Sequence, residues 1–214
     1  MRIIQPEAEA YAQMYTSQED ALLQKIYETT VKSHPHAHMI SGKVQGKFLS
    51  FISELISPKY ILEIGTFTGY SAICLAEGLQ KGGELHTIEL RPEDAETARL
   101  NFALSKKNNQ IHLHTGKALE IIPLLNFRWD LVFIDADKTG YSQYYSMLLP
   151  RLNESGIILA DNVLFHGEVL ENPIRGKNAI AIDAFNKLVA EDETTEQVLL
   201  TIRDGLLMIK KKQA

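Results

Sequence analysis

Short apolar runs alternate with longer amphipathic segments over most of the chain beyond Pro58. The runs have the length and the turn-rich borders of β-strands, and the segments between them are long enough to be helices. Strands separated by helix-length connections predict βαβ units with right-handed crossovers, and therefore a mostly parallel sheet with helices on both faces. The predicted parallel strands are Tyr60 to Ile64, Glu84 to Ile88, Ile111 to His114, Trp129 to Ile134 and Ile157 to Ala160.

The two ends of the chain follow different patterns. The segment Ser17 to Asp20 is typical of a helix start with an acidic first turn, and a further helix is predicted from Gln45 to Ile56. The apolar stripe of the first of these helices is Leu22, Leu23, Ile26 and Val31. Towards the C-terminus, two strand-like runs, Glu196 to Ile202 and Leu206 to Ile209, are joined through an Asp-Gly pair that favours a tight hairpin. One edge strand is therefore expected to run antiparallel to the rest.

Composition places these elements in one globular domain. The chain has 214 residues, of which 45% are hydrophobic and 23% charged, enough for a sizeable core. We therefore expect a single domain over residues 1–214, in which residues 1–40 form a helical cap or lid. A formal charge of -5, from 27 acidic and 22 basic residues, argues against a broad nucleic-acid-binding face and favours a small or metal-bound partner.

The cysteine content and the N-terminus bear on the cellular compartment. Cys74 is the single cysteine, so no internal disulfide can form, and its apolar helical surroundings indicate core packing. The N-terminus has no long apolar region behind a basic start, and no stretch approaches the roughly 20 apolar residues of a membrane span. These features predict a cytoplasmic protein.

A glycine-containing turn follows the first predicted strand. Gly65 and Gly69 permit backbone conformations and close approaches that a Cβ would hinder. Such a turn by itself is also typical of an ordinary strand-to-helix connection. Glu89, at the end of the second strand, adds a carboxylate that can accept hydrogen bonds from both ribose hydroxyls of an adenosine. Together, the two features favour a nucleotide-type cofactor over a structural turn.

Glu63 narrows the choice of cofactor. A dinucleotide site usually carries G-x-G-x-x-G, whereas this chain has Gly65-x-x-x-Gly69. A carboxylate just before the turn would repel a pyrophosphate but would suit an ammonium or a sulfonium. The sequence therefore favours S-adenosylmethionine (SAM) and argues against an NAD-dependent oxidoreductase.

Oxygen side chains follow two of the predicted strands. Asp135 closes the strand Trp129 to Ile134, and the pair Asp161-Asn162 closes the strand Ile157 to Ala160. The carboxyl ends of parallel strands meet at one edge of a sheet, so these oxygens can converge on one cation, although an isolated Asp-Asn pair is more often a turn or a helix cap. Two carboxylates and an amide suit Mg²⁺ or Ca²⁺ rather than zinc. The sequence does not distinguish Mg²⁺ from Ca²⁺ or Mn²⁺.

This ligand set leaves room for a substrate. Three protein oxygens on a six-coordinate Mg²⁺ leave about three positions, enough for a substrate with two adjacent oxygens and for one water. Coordination would lower the pKa of a phenolic hydroxyl from about 10. Lys138, one helical turn beyond Asp135, could accept or electrostatically stabilise the departing proton, unless it is an ordinary solvated lysine. Methyl transfer from a sulfonium to the oxyanion then needs no covalent nucleophile.

At these positions the sequence resembles the metal-dependent SAM O-methyltransferases of the caffeoyl-CoA and catechol type. The resemblance runs from about Ser41 to the C-terminus, and its most specific pieces are Leu62 to Ser71, Phe133 to Lys138 and Asp161 to Val163. It implies a Rossmann-like class I methyltransferase fold, with a seven-stranded, mostly parallel sheet and an antiparallel C-terminal strand, in a protein that is usually dimeric. Met39 to Gly46 resembles bacterial members, of which some methylate catechols and others resemble the tRNA 5-hydroxyuridine methyltransferase.

The resemblance also implies roles for individual residues. By position, Asp135, Asp161 and Asn162 are the metal ligands and Lys138 is the catalytic base. The implied SAM contacts are Ser41, Glu63, Gly65, Thr66, Ser71, Glu89, Ala118, Asp135 and Asp137.

We therefore expect a Mg²⁺-dependent transfer of a methyl group from SAM to a hydroxyl of a vicinal diphenol or a similar chelating small molecule. The alternative substrate is a tRNA base with a 5-hydroxyl beside a carbonyl oxygen, which offers another adjacent oxygen pair. A non-enzymatic binding module that retains the fold is a third interpretation, and the intact set of proposed catalytic and metal-binding residues argues against it. The expected partners are the small-molecule substrate and a second copy of the chain, without a membrane.

Overall fold

The computed structural model describes residues 4–212. Residues 1–3, which belong to the expected cap segment, and residues 213–214 lie outside the described part of the chain. The chain divides into two compact units, one from Glu7 to Asn126 and the other from Phe127 onwards, which also includes the described residues before Glu7. The expectation of one domain over the whole chain stays a prediction.

The first unit is built on three parallel strands. Strands β1 (Tyr60–Ile64), β2 (Glu84–Glu89) and β3 (Ile111–Thr115) lie in the order β3-β2-β1. Their register pairs Ile64 with Ile88 and Glu89 with Thr115. The helices of this part are α1 (Pro6–Tyr15), α2 (Ala21–Ser33), α3 (Lys43–Ile56), α4 (Tyr70–Ala76), α5 (Pro92–Ala103) and α6 (Ala118–Ile121), with 3-10 turns at Ala37–Met39, Asn108–Gln110 and Ile122–Leu124. A helix between each pair of consecutive strands confirms the predicted βαβ pattern.

The second unit contains four strands of mixed direction. Strands β4 (Trp129–Ile134), β5 (Leu152–Asp161), β6 (Thr195–Leu200) and β7 (Leu206–Lys211) lie in the order β4-β5-β7-β6. β4 and β5 are parallel, whereas β7 is antiparallel to both β5 and β6. The helices are α7 (Tyr141–Leu148) and α8 (Lys177–Glu191), with 3-10 turns at Lys138–Gly140, Leu149–Arg151 and Phe165–Leu170. The predicted antiparallel C-terminal strand is therefore confirmed as β7.

The expectation that the antiparallel strand lies at an edge is wrong. β7 lies between β5 and β6, so β6 is the outer strand. The side chains explain this order, because Leu206, Leu207 and Ile209 of β7 are buried, whereas residues 196–199 of β6 are exposed. The connection between β6 and β7 spans residues 201–205, which is longer than the tight hairpin that the Asp-Gly pair predicted.

Helix α2 starts at the end of the predicted start segment but buries a different face, and the expected acidic first turn is wrong, because its first turn contains no acidic residue. α2 starts directly after Asp20, whose side chain caps it. The predicted apolar stripe is wrong at Val31, which is 49% exposed. Thr30 is buried instead, because it lies four residues beyond Ile26 and therefore on the same face of the helix. Its hydroxyl lies 3.2 Å from that of Thr68.

The apolar runs after Pro58 supply core packing. Residues 131–134 of β4 are fully buried, as expected for a parallel strand that is covered on both faces. Cys74 is buried in α4, which confirms its predicted place in the core, and burial raises the pKa of its thiol. No helix within residues 4–212 is long and apolar enough to cross a membrane. The cytoplasmic location stays a prediction.

Candidate active site

The carboxyl ends of the strands in the first unit carry three of the predicted cofactor residues. Gly65 follows β1, Glu89 ends β2, and Ala118 begins α6 after β3. Two backbone hydrogen bonds tie these ends together: the Gly65 N–H donates to the Ile88 carbonyl at 2.9 Å, and the Gly116 N–H donates to the Glu89 carbonyl at 2.8 Å. The strands thus bring these positions to one edge, where open parallel sheets bind ligands.

The turn after β1 requires glycine. Gly65 and Gly69 have φ angles of 101° and 88°, in the left-handed region that residues with a Cβ rarely adopt. The Gly69 N–H donates to the Thr66 carbonyl at 2.9 Å and closes the turn at the start of α4. The special conformations inferred from the sequence are therefore confirmed at both glycines.

Replacing Gly69 with alanine is expected to lower the free energy of unfolding by about 2–4 kcal/mol, from backbone strain and steric overlap together. A Cβ at this position would lie 2.6 Å from the Phe102 ring. Gly82→Ala is the matched control, because Gly82 has a φ of 72° but a Cβ there would meet no described atom within 4 Å. Urea unfolding should show a clearly smaller loss for Gly82→Ala, and equal losses would contradict the contribution of steric overlap at Gly69.

Two buried carboxylates lie at this edge of the first unit. Glu63 is fully buried and accepts a hydrogen bond from the Thr87 hydroxyl. Glu89 is 5% exposed, and its two oxygens accept the Phe67 N–H at 2.7 Å and the Arg91 N–H at 2.9 Å. These bonds orient the Glu89 carboxylate and leave each oxygen a further lone pair, which could accept a ribose hydroxyl. The negative charge of Glu63 suits a cationic ammonium or sulfonium.

The remaining predicted cofactor residues in this unit, Thr66, Ser71 and Ser41, are buried. Thr66 is buried, and its hydroxyl lies 2.5 Å from that of Thr87, which also bonds Glu63. Ser71 lies in the first turn of α4, and Ser41 lies shortly before α3. The structure thus joins Thr66 and Glu63 through Thr87. The cofactor contacts of Ser41 and Ser71 stay predictions.

In the second unit, β4 and β5 place the predicted metal ligands side by side. Their register pairs Ile134 with Ala160, so Asp135 and Asp161, the next residues, lie at the same end of the two strands. Asn162 has a φ of 58°, a left-handed conformation that asparagine tolerates better than most residues. Its N–H donates to Oδ1 of Asp161 at 2.8 Å.

Lys138 shows that two of these ligand oxygens converge. Its Nζ donates to Oδ1 of Asp135 at 3.1 Å and to Oδ1 of Asn162 at 2.7 Å. One atom therefore lies within hydrogen-bond distance of both oxygens. Since the Lys138 side chain is only 13% exposed, it is not an ordinary solvated lysine.

The surroundings of Lys138 stabilise its charged form. Burial by itself lowers the pKa of Lys138, but the hydrogen bond that its Nζ donates to the Tyr141 hydroxyl and the negative charges of Asp135 and Asp161 outweigh burial and hold this pKa above its ordinary value. Burial also raises the pKa of the Tyr141 hydroxyl. Both groups are therefore protonated at neutral pH. In this arrangement Lys138 is the charge partner of Asp135, and it must lose a proton before it can act as a base.

Tyr141 is a site residue that the sequence analysis missed. It is fully buried, and its Oη lies 2.7 Å from Nζ of Lys138. The same hydroxyl lies 2.9 Å from the Asp161 carbonyl and 3.2 Å from the Ile134 carbonyl. Tyr141 thus contacts the ends of both β4 and β5 together with the lysine. The only signal in the sequence is an aromatic residue one helical turn after Lys138, which is too common to indicate a site.

The chemistry of this donor set suits a hard divalent cation. Two carboxylates and one amide oxygen are the ligands that Mg²⁺ and Ca²⁺ prefer. Within residues 4–212, no group of three or more His, Cys, Asp or Glu side chains is arranged to hold an ion, and the predicted set has only two such members, Asp135 and Asp161. Asp137, a predicted SAM contact, accepts the Tyr144 hydroxyl at 2.5 Å. The assignments of the metal ligands and of Asp137 stay predictions.

Comparison with known proteins gives consistent matches over most of the chain. A family model described as O-methyltransferase matches residues 13–212. A catechol O-methyltransferase from Niastella koreensis is 37% identical over 161 residues, which cover 73% of this chain and 72% of that protein. A caffeoyl-CoA O-methyltransferase from Eucalyptus gunnii is 29% identical over 223 residues, with coverages of 92% and 89%. The crystal structure of an O-methyltransferase from Bacillus cereus in complex with SAH is 29% identical, has a TM-score of 0.88 and covers 96% of this chain and 97% of that chain.

Proposed function

The chain belongs to the O-methyltransferase family, and we propose that it methylates a catechol-like small molecule in a Mg²⁺-dependent reaction. Membership of the family confirms the resemblance, the SAM-dependent O-methyltransferase activity and the Rossmann-like class I methyltransferase fold predicted from the sequence. It sets aside the oxidoreductase and the non-enzymatic interpretations. The homodimer stays a prediction.

The substrate class rests on the relatives and on the donor set together. The relatives described above are named for catechol and for caffeoyl-CoA, and neither is named for an RNA. A vicinal diphenol presents two adjacent oxygens, which can chelate an ion that has three protein ligands. A chain with a formal charge of -5 is also poorly suited to a polyanionic partner. The tRNA alternative is therefore not favoured.

One observation carries the metal-dependent part of this proposal. The Nζ atom of Lys138 lies within hydrogen-bond distance of an oxygen of Asp135 and an oxygen of Asn162, at the end of two adjacent parallel strands. Oxygens that accept hydrogen bonds from one ammonium face a common point, where a divalent ion could also lie. This convergence of Asp135 and Asn162 supports the proposal of a hard divalent ion at these strand ends.

Each proposed site residue of the second unit would then have a separate role in the reaction. Asp135, Asp161 and Asn162 would hold the ion, which when bound lowers the pKa of a coordinated phenolic hydroxyl. Lys138 holds a positive charge beside these oxygens and, once deprotonated, can accept the hydroxyl proton. Tyr141 positions Lys138 through its contact at 2.7 Å.

The residues of the first unit would bind the methyl donor. Gly65 allows the backbone to approach the cofactor closely, Glu63 provides negative charge for its cationic end, and Glu89 accepts ribose hydroxyls. SAM supplies an electrophilic methyl group on a sulfonium. The transfer needs no covalent nucleophile, which agrees with the burial and raised thiol pKa of Cys74.

Methylation assays with labelled SAM test this proposal. Catechol, phenol and undermodified tRNA would each be offered in the presence of Mg²⁺ or of EDTA. We expect methylation of catechol with Mg²⁺, loss of that activity with EDTA, and little activity on phenol, which has a single hydroxyl. Equal rates on catechol and phenol, or a full rate in EDTA, would contradict chelation. Methylation of tRNA without methylation of catechol would favour the alternative substrate.

Glu89→Gln is expected to raise the dissociation constant for S-adenosylhomocysteine by about tenfold or more, because a hydrogen bond to a charged acceptor contributes roughly 1.5–3 kcal/mol. Glutamine keeps the shape of the side chain but has one acceptor oxygen instead of two. Glu93→Gln is the matched control, because Glu93 is exposed on α5. Isothermal titration calorimetry measures both constants, and an unchanged value for Glu89→Gln would exclude the ribose contact.

A further inference from the structure

The loop after β5 contains three non-glycine residues in left-handed backbone conformations. Asn162, Phe165 and His166 have φ angles of 58°, 41° and 56°, and Gly167 follows with 82°. Residues with a Cβ persist in this region only where the surrounding structure holds them. Because Asn162 is one of the proposed metal ligands, the contacts that hold residues 162–167, here termed the ligand loop, bear directly on the metal site.

The connection between β6 and β7 supplies hydrogen bonds to the ligand loop. The Val163 N–H donates to the Gly205 carbonyl at 3.1 Å, and the Leu164 N–H donates to the Asp204 carbonyl at 2.9 Å. The His166 N–H donates to Oδ1 of Asp204 at 2.6 Å. Asp204 therefore accepts one amide of the ligand loop with its main chain and another with its side chain.

Close packing fixes the connection against the loop. A Cβ on Gly205 would lie 2.6 Å from Cγ of Leu164, so the two segments are in direct contact. The register of the antiparallel ladder pairs Asp161 with Leu206, which places the connection beside the end of β5. The Asp204 side chain is only 13% exposed. Its carboxylate is thus held at a defined position relative to the proposed ligand Asp161.

A short path links the Asp204 carboxylate to the Asn162 ligand. The Phe165 N–H donates to the Asn162 carbonyl at 3.1 Å, and the next amide, that of His166, donates to Asp204. Removing the carboxylate would leave the His166 amide without this acceptor and would allow the left-handed residues to relax. The side-chain oxygen of Asn162 would then lose its fixed position.

We propose that Asp204 is a positioning residue for the metal site. It accepts the His166 amide, keeps the ligand loop in its left-handed conformation and so holds the Asn162 oxygen beside Asp135 and Asp161. This inference rests on the proposed function, because it requires that these three residues bind a divalent ion. Asp204 does not itself bind the ion. The ring of His166 contributes less, because it is 70% exposed and its Nδ1 lies 3.4 Å from the Asp204 carboxylate.

Binding of Mn²⁺, followed by electron paramagnetic resonance, tests the proposal in Asp204→Ala and Asp204→Asn. We expect Asp204→Ala to weaken Mn²⁺ binding about tenfold or more, the range found for residues that orient metal ligands. Asp204→Asn should stay within about threefold of the wild type, because its amide oxygen can still accept the His166 N–H. Asp183→Ala is the matched control, since Asp183 lies on α8 and pairs with Lys187. Binding of S-adenosylhomocysteine should be unchanged in all three variants, which a general folding defect would not allow.

Several results would overturn the proposal. Wild-type Mn²⁺ affinity in Asp204→Ala would show that the carboxylate does not position the site, and equal losses in Asp204→Asn and Asp204→Ala would assign the effect to charge instead of to the hydrogen bond. Hydrogen exchange of the wild-type protein decides the matter if Asp204→Ala does not fold. The amides of Leu164 and His166 should exchange slowly, and exchange at the rate of an unstructured chain would overturn the proposal. A wild-type protein that binds no Mn²⁺ would instead refute the metal-dependent function, while the exchange result would still decide whether the ligand loop is held.

Discussion

Asp161→Asn is expected to lower kcat/KM for catechol methylation by about a thousandfold, which corresponds to roughly 4 kcal/mol of lost transition-state stabilisation. The substitution removes one negative charge from the proposed ligand set. It keeps an oxygen that can accept the Asn162 N–H, now received by Oδ1 of Asp161 at 2.8 Å, so the local backbone should stay in place. Asp161 is 2% exposed, so solvent cannot readily compensate for the loss of its charge. Steady-state kinetics at a series of Mg²⁺ concentrations measure the effect.

The control for this prediction is Asp183→Asn, which changes a carboxylate that pairs with Lys187 on α8. It should leave the kinetics unchanged. Both variants should bind S-adenosylhomocysteine as tightly as the wild type does. Neither Asp161 nor Asp183 is a proposed cofactor residue, and the proposed cofactor residues other than Asp135 and Asp137 belong to the first unit. Full activity of Asp161→Asn, or activity of the wild type that is insensitive to EDTA, would refute a role for this residue in metal binding.

The bounds of a strand were predictable from the sequence where nearly all of its residues are buried. The predicted bounds of β1 and β4 agree with the structure, because both strands are short apolar runs bordered by polar residues or glycine. β5 begins at Leu152, five positions before the predicted Ile157, because residues 153–156 are polar or glycine and resemble a turn. The place of β7 between β5 and β6 was not predictable, since strand order depends on contacts between distant segments.

The candidate site was predictable to the extent that it follows from strand ends. The side-by-side placement of Asp135 and Asp161 follows from two consecutive parallel strands, and the register of β4 and β5 confirms it. Tyr141 and Asp204 were missed for a common reason. Each acts through contacts with residues far away in the sequence: Tyr141 with the Asp161 carbonyl, and Asp204 with the His166 amide. In its local sequence, Tyr141 is equally typical of ordinary packing, and Asp204 is equally typical of a turn.

Lys138→Met is expected to reduce kcat by roughly 10²- to 10³-fold, within the range for loss of a general acid or base. Methionine approximates the length of the lysine stem but removes the positive charge beside Asp135 and the donor to Asn162. The KM for SAM should change little, because the proposed SAM contacts do not include Lys138. Initial rates at saturating SAM and catechol measure kcat, and thermal unfolding shows whether the variant remains folded.

Lys138→Arg separates the two roles of the lysine. Arginine keeps a positive charge but does not release its proton in proteins, so it can stabilise an oxyanion without accepting a proton. If Lys138 is the base, Lys138→Arg should be about as inactive as Lys138→Met. Activity of Lys138→Arg within tenfold of the wild type would assign Lys138 an electrostatic role. The raised pKa of Lys138 keeps its side chain protonated and agrees with such a role, so the comparison tests the base assignment directly. Lys187→Met, at an exposed lysine on α8, is the control for loss of a positive charge and should leave kcat unchanged.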